Sequence, residues 1–312
     1  MTARDELRAL TSARGIAAWL VVLYHIRFSI AGLPDPVLNL FAHGYLAVDF
    51  FFLLSGFVIW LGYVDRLRAG GWRAVPEFLR RRVARIWPLH LVVLAGAVAL
   101  ALLFAATGRH DPARFPFAEL PLHVLLLQNW GFTQQLSWNV PAWSISTELA
   151  AYLLFPLLVL GVDWRRWSGF TLVLVLIALA MALYLFLDAQ GVVRLGQDIA
   201  RFGLIRCIVE FAMGTLLCAL WLRWRAHWRV AGASAALVAV ALFAAWVAGV
   251  LPETLAVPVC FSAVLMALAL TSGKAGNPLE WAPLHWLGEI SYATYLAHYL
   301  LWVAFKLAFV DD

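Results

Sequence analysis

His25, Arg27, Asp49, Glu148, Arg206, Glu210 and His298 interrupt stretches of the chain that are otherwise apolar. An ionisable group in such a stretch is expensive to keep there, so each is a functional candidate. Arg14 and His25 are eleven residues apart. At about 100° per residue that is close to three whole turns, so both lie on one helix face, roughly 16 Å apart along the axis. Arginine's forked donors suit phosphate, and histidine suits proton abstraction near neutral pH. The pair fits a ligand whose phosphate end is held at a membrane rim while its reactive end reaches inward. A topogenic arginine and a hydrogen-bonded bundle histidine would show the same spacing.

Asp49 stands just ahead of Phe50, Phe51 and Phe52. From a facing helix it could fix the tautomer of His25, as an aspartate does in hydrolytic triads, or it could be a solvated carboxylate at a helix end. Glu148 follows Pro141 and the stretch Trp143-Ser-Ile-Ser-Thr. Capping by Ser144 and Thr147 and an acid in the first turn explain it well; a second carboxylate near His25 is the functional version. Arg206 and Glu210 are four apart and can pair within one helix. His298 recurs at helical spacing with Tyr292, Tyr295 and Tyr299, a pattern that an interfacial aromatic belt also produces.

The elements that must carry these residues are membrane helices. The chain of 312 residues is 64% hydrophobic and only 13% charged, with a mean hydropathy of +0.84, whereas soluble domains sit near 45–50% apolar and about 25% charged. Runs long enough to span lie near 15–33, 44–64, 86–106, 143–161, 168–188, 202–222, 230–250, 255–272 and 287–309. The shorter run 119–130 leads into a polar stretch ending at Asn139. The reading is an all-α, polytopic transmembrane bundle of about nine to ten spans, with a possible re-entrant segment at 119–142, as one domain over 1–312.

The arginines crowd into 65–85, with further basic residues at Arg165, Arg166, Arg223, Arg225, Arg229 and Lys274. All fall on one side if 119–142 does not span, which favours nine spans with a cytoplasmic N-terminus. That bias accounts for the net charge of +5 without nucleic acid. Cys207, Cys218 and Cys260 lie in apolar runs with no CxxC or Cys/His spacing, so neither a disulfide framework nor a metal site is expected. No cleavable leader is expected either, because Arg4, Asp5, Glu6, Arg8 and Arg14 precede a first run that lacks a small-residue cleavage site.

Six segments in order resemble the acyltransferase-3 family of integral membrane acyltransferases. They are Arg14-Gly-Ile-Ala with the spacing to His25; Gly44-Tyr-Leu-Ala-Val-Asp49; and Phe52-Leu-Leu-Ser55-Gly-Phe57. Then come Phe78-Leu-Arg80-Arg81-Arg82-Val-Ala-Arg85-Ile-Trp87-Pro88, Trp143-Ser144-Ile-Ser-Thr-Glu148 with Tyr152, and Leu287-Gly-Glu-Ile-Ser291-Tyr292-Ala-Thr-Tyr295-Leu-Ala-His298. Leu149 and Ala150 stand where the family usually has a second acid and a glutamine. The resemblance implies transfer of an acyl group, often acetyl from acetyl-CoA, to a hydroxyl of a carbohydrate or another small acceptor. It also implies a catalytic His25 and an essential Arg14.

The mechanism expected on that basis has His25 as the base, oriented by Asp49 or Glu148. Arg14, Arg82 and Arg85 hold the phosphates of acyl-CoA, a donor substrate rather than a bound cofactor. Ser144, Tyr295 and His298 complete the expected binding set. An acyl-histidine intermediate is the alternative chemistry. No fused domain is expected, so the acceptor would meet the membrane domain or a separate partner, and a bacterial inner membrane is the expected location. A proton-coupled secondary transporter relaying through His25, Asp49, Glu148 and His298 is the rival reading. Against it, no paired Gly/Pro-interrupted spans occupy matching positions in two halves. A non-catalytic subunit of polysaccharide machinery is a third.

Overall fold

The computed structural model describes residues 7–109 and 111–309, so Arg4, Asp5, Glu6 and Asp312 lie outside the described residues. All regular structure among the described residues is helical. Six helical stretches there are long and apolar enough to cross a membrane: Arg8–Ser29, Asp35–Ala106, Ala142–Gly161, Gly169–Ala189, Ile199–Val247 and Glu253–Thr271. The protein is an integral membrane helix bundle.

Six is fewer than the nine to ten apolar runs read from the sequence. The second stretch is continuous and holds α2 (Asp35–Ala42), α3 (Ala47–Gly70) and α4 (Val75–Ala106). The fifth holds α8 (Ile199–Trp224) and α9 (Trp228–Val247). The last long helix, α12 (Ser291–Phe309), falls outside the six; Tyr292, Tyr295, His298, Tyr299 and Lys306 dilute its apolar character. The remaining helices are α1 (Arg8–Ile26), α5 (Leu120–Val124), α6 (Ala142–Gly161), α7 (Gly169–Ala189), α10 (Glu253–Thr271) and α11 (Ala282–Glu289).

Composition decides which helices line the centre. α9 buries little beyond Gly232 and Ala239 and exposes Val230, Leu237, Val240, Phe243 and Val247, a surface suited only to lipid. α3 is the opposite case. It is buried along most of its length and packs most closely on α8, where Gly56 and Gly214 let the two backbones meet. A Cβ on Gly214 would stand 2.0 Å from the Leu53 carbonyl oxygen, and one on Gly56 1.9 Å from that of Phe211. This is the small-residue contact by which membrane helices approach when lipid supplies no hydrophobic drive. Gly15 and Gly288 play the same part between α1 and α11.

The segment 119–142 holds no spanning helix. Its regular pieces are the single turn Phe117–Glu119 and the five-residue α5. It folds onto the bundle through buried polar groups that reach four helices. Trp87 Nε1 donates to the Val124 carbonyl at 2.7 Å, Asn129 Nδ2 to that of Ile199 at 3.2 Å, Trp130 Nε1 to that of Ser146 at 2.9 Å, and Asn139 Nδ2 to that of Leu296 at 2.9 Å. Irregular backbone survives at such depth only when protein supplies these partners.

Candidate active site

The basic stretch 65–85, read as a loop, is mostly helix. α3 runs on to Gly70 and α4 begins at Val75, eleven residues before the apolar run, with Pro76 in its first turn. Helical spacing then sorts the arginines. Arg80 and Arg81 face outward onto Glu77, at 2.7 and 2.5 Å, and their guanidinium groups hold its carboxyl down at about 2. Arg82 and Arg85, three apart on the inner face, line a cavity of about 420 Å³ inside the bundle. That volume is in the range of small-molecule sites.

α3 supplies one wall of the cavity through Phe51, Ser55, Ile59, Gly62 and Tyr63, all on one helical face, and α6 adds Ser144, Glu148 and Tyr152. Arg14 of α1 and Ser291, Tyr292 and Tyr295 of α12 close it. Three arginines against one glutamate make the lining net positive, while aromatic and aliphatic side chains form the rest.

The polar groups other than Arg85 are held in place. Arg14 donates through Nε to Ser291 Oγ at 2.9 Å and through Nη2 to the Gly288 carbonyl at 2.8 Å. Arg82 Nη2 donates to Tyr63 Oη at 2.8 Å. Glu148 accepts from Ser55 Oγ and, at 2.6 Å, from Tyr152 Oη. Tyr292 Oη donates to the Ile86 carbonyl at 2.5 Å. At the inner end Tyr295 Oη lies 2.7 Å from Ser144 Oγ and 3.1 Å from the Pro141 carbonyl, with the Phe51 ring edge-on at 5.6 Å.

Tyr295 is linked to His25 through His298, whose ring is 6.2 Å from that of Tyr295 and 5.0 Å from that of His25. Nδ1 of His25 is 2.9 Å from the Val21 carbonyl oxygen and 3.1 Å from Nε2 of His298. A carbonyl oxygen only accepts, so Nδ1 carries the proton and the lone pair sits on Nε2, the form that can act as a base. The rings of Tyr24 and Tyr299 meet the imidazole edge-on at 5.0 and 5.4 Å.

The structure corrects several of the expectations. Asp49 does not orient His25; its Oδ1 is 2.9 Å from Arg206 Nε, and both side chains are buried. The cause is the α3–α8 glycine contact, which carries Asp49 onto α8 rather than α1. For the same reason Arg206 makes its close ion pair across helices with Asp49, with Glu210 four residues on lying in the same buried cluster, and it also donates to the Leu195 carbonyl. Glu148 does not orient His25 either, being engaged by Ser55 and Tyr152. Nor do Ser144 and Thr147 cap α6. The helix starts at Ala142, and its first amides bond back to Asn139, Val140 and Pro141, so the Ser144 hydroxyl is left for Tyr295.

The cavity gathers Arg14, Arg82, Arg85, Ser144, Glu148 and Tyr295 of the expected set, and places His25 and His298 together just beyond it. Asp49 lies apart. Tyr63 was not anticipated; its spacing of eight from Ser55 on α3 is the sequence signal that could have found it.

A membrane bundle with a basic, partly apolar cavity near a pair of histidines defines an integral membrane protein with an internal site. The chain belongs to the acyltransferase-3 family, whose acyltransferase domain model matches residues 7–312, and the protein is an acyltransferase. It is similar to the acyltransferase MdmB of Streptomyces mycarofaciens, 31% identical over an alignment of 319 positions that covers 95% of this chain and 79% of that protein. It is also similar to "Protein 2 in picA locus" of Rhizobium radiobacter, 34% identical over 155 positions, 45% of this chain and 75% of that protein. No solved structure matches.

Proposed function

We propose that the protein moves an acyl group, acetyl in the simplest case, from acyl-CoA to a hydroxyl of a carbohydrate or other small acceptor. His25 is the base. The observation that supports this reading is a histidine with its lone pair on Nε2, one ring removed, through His298, from Tyr295 of a cavity lined by Arg14, Arg82 and Arg85. The arginines take the donor's phosphates at the basic end, and the apolar walls take its pantetheine arm and thioester. The acceptor reaches His25 from the opposite end of the bundle.

In the reaction, Nε2 of His25 removes the hydroxyl proton as the oxygen attacks the thioester carbonyl. The tetrahedral intermediate collapses with cleavage of the carbon–sulfur bond. The departing thiolate takes the proton from His25, so an ester and free CoA leave and the imidazole is restored. Glu148 keeps the Ser55 and Tyr152 walls in register, and Asp49 serves as the buried counter-ion of Arg206. Nine spans with the arginine-rich end in the cytoplasm of a bacterial inner membrane fit the positive-inside bias.

The test is release of free thiol from acetyl-CoA by the purified protein with a panel of methyl glycosides, wild type beside His25→Ala. Loss of roughly 10²- to 10⁴-fold in turnover, with an unchanged elution profile, is the expected outcome. Activity within a few-fold of wild type would remove His25 from the chemistry.

A further inference from the structure

Among the described residues His25 has no carboxylate partner, yet a base must be held in one orientation and one tautomer to work. The groups around its neighbour show what does this instead. Nδ1 of His298 lies 2.7 Å from the Tyr295 carbonyl oxygen. That oxygen only accepts, so Nδ1 of His298 is a donor and, in the neutral ring, Nε2 holds the lone pair. This same Nε2 is 3.1 Å from Nδ1 of His25, whose proton already faces the Val21 carbonyl. The three contacts admit one arrangement of two neutral rings: His25 Nδ1–H is shared between a carbonyl and an imidazole. The rings are tilted by 51° with centroids 5.0 Å apart, an edge approach rather than a stack.

We propose that His298 is the positioning residue for His25, accepting the Nδ1 proton and presenting Nε2 to the acceptor hydroxyl in the way a carboxylate does in a triad. The proposal rests on the reading of His25 as the base. A neutral acceptor suits the setting, because a carboxylate at this depth would need a counter-charge of its own, as Asp49 does. The anchor also ties the base to the cavity. His298 is fixed by the backbone of Tyr295, and the hydroxyl of that same tyrosine is held by Ser144 and Pro141 at the inner end of the cavity. The wall next to the donor and the support of the base therefore share one turn of α12.

Two measurements test it. In the acetyl-CoA assay with methyl glycosides, His298→Leu should lower kcat roughly 10- to 100-fold, with KM for acetyl-CoA unchanged within about two-fold. His298→Gln, whose side-chain oxygen accepts the same proton, should recover most of the rate. A His298→Leu variant at wild-type kcat, or a Gln variant as slow as Leu, overturns the proposal. The second measurement needs neither an acceptor nor a folded variant at position 298. ¹⁵N-histidine spectra of the wild-type protein, with the His25 signals assigned by their loss in His25→Ala, should show His25 protonated at Nδ1 and bare at Nε2. The opposite tautomer overturns it. Survival of turnover in His25→Ala would instead sink the base assignment itself, whereas a dead His25→Ala beside a fully active His298→Leu would sink only the positioning role.

Discussion

Asp49 and His25 share a type of position, an ionisable group deep in an apolar helix, yet their surroundings give them different work. Asp49 meets Arg206, with side chains 0% and 3% exposed, and the arginine is further held by the Leu195 carbonyl and by the face of Trp143, 5.4 Å from its guanidinium. Glu210 shares this cluster, and removing one member of a buried ionic group disturbs the rest, an effect of up to roughly 3 to 5 kcal/mol. Asp49→Ala should therefore lower the unfolding midpoint in detergent steeply, and the protein that remains folded should keep its turnover per active site. A catalytic aspartate would show the reverse, an intact midpoint with lost kcat. His25 has tautomer-fixing contacts instead of a counter-ion, so His25→Ala should show that second pattern.

At the scale of elements, close backbone approach positions the residues, and charges trim the ends. Gly214→Ala forces a methyl group against the Leu53 carbonyl oxygen across the α3–α8 crossing. Overpacking of this kind destabilises by roughly 1 to 3 kcal/mol. Gly62→Ala, on the same α3 with nothing within 4 Å of its added Cβ, should be neutral or slightly stabilising. Equal effects of the two in thermal melts would remove the crossing from the account. Between α6 and α7, Asp163 meets Arg165 at 2.9 Å and Arg68 and Arg166 at 3.7 Å. The hydrogen bond from Arg165 holds its carboxyl below the usual carboxylate range. A lowered folded value adds stability above the unfolded value of about 3.9, and that stability is lost as pH falls through the lowered value. Asp163→Asn should thus melt below wild type at pH 7, with the gap closing towards pH 3; a gap that does not change with pH contradicts the assignment.

For the molecule as a whole, the arrangement predicts two faces of different chemistry. The native cysteines Cys207, Cys218 and Cys260 are buried, so a membrane-impermeant maleimide reports only on introduced thiols. Arg80→Cys, beside the basic mouth, and Phe132→Cys, in the exposed part of 119–142, should label from opposite sides of sealed vesicles. Labelling of both from one side would mean that 119–142 crosses, and would move every later basic loop to the other face.

The residue types and their spacing were enough to establish an integral membrane helical chain, the shared helix face of Arg14 and His25, and the pairing of an arginine-rich stretch with apolar spans. Those properties are local: burial cost, helical period and charge bias act on neighbours along the chain. The expectation that Arg82 and Arg85 act together with Arg14 came from the resemblance, and the structure brings all three to one cavity. What the chain alone left open was which charge answers which. Arg206, expected to meet Glu210 at helical spacing, meets Asp49, 157 residues away; His25, expected to meet Asp49 or Glu148, meets His298, 273 residues away. Only tertiary structure decides such choices, because glycine contacts set how closely and in what register helices cross. That register, rather than the chemistry of the side chains, turned Asp49 toward α8 and brought His298 to His25.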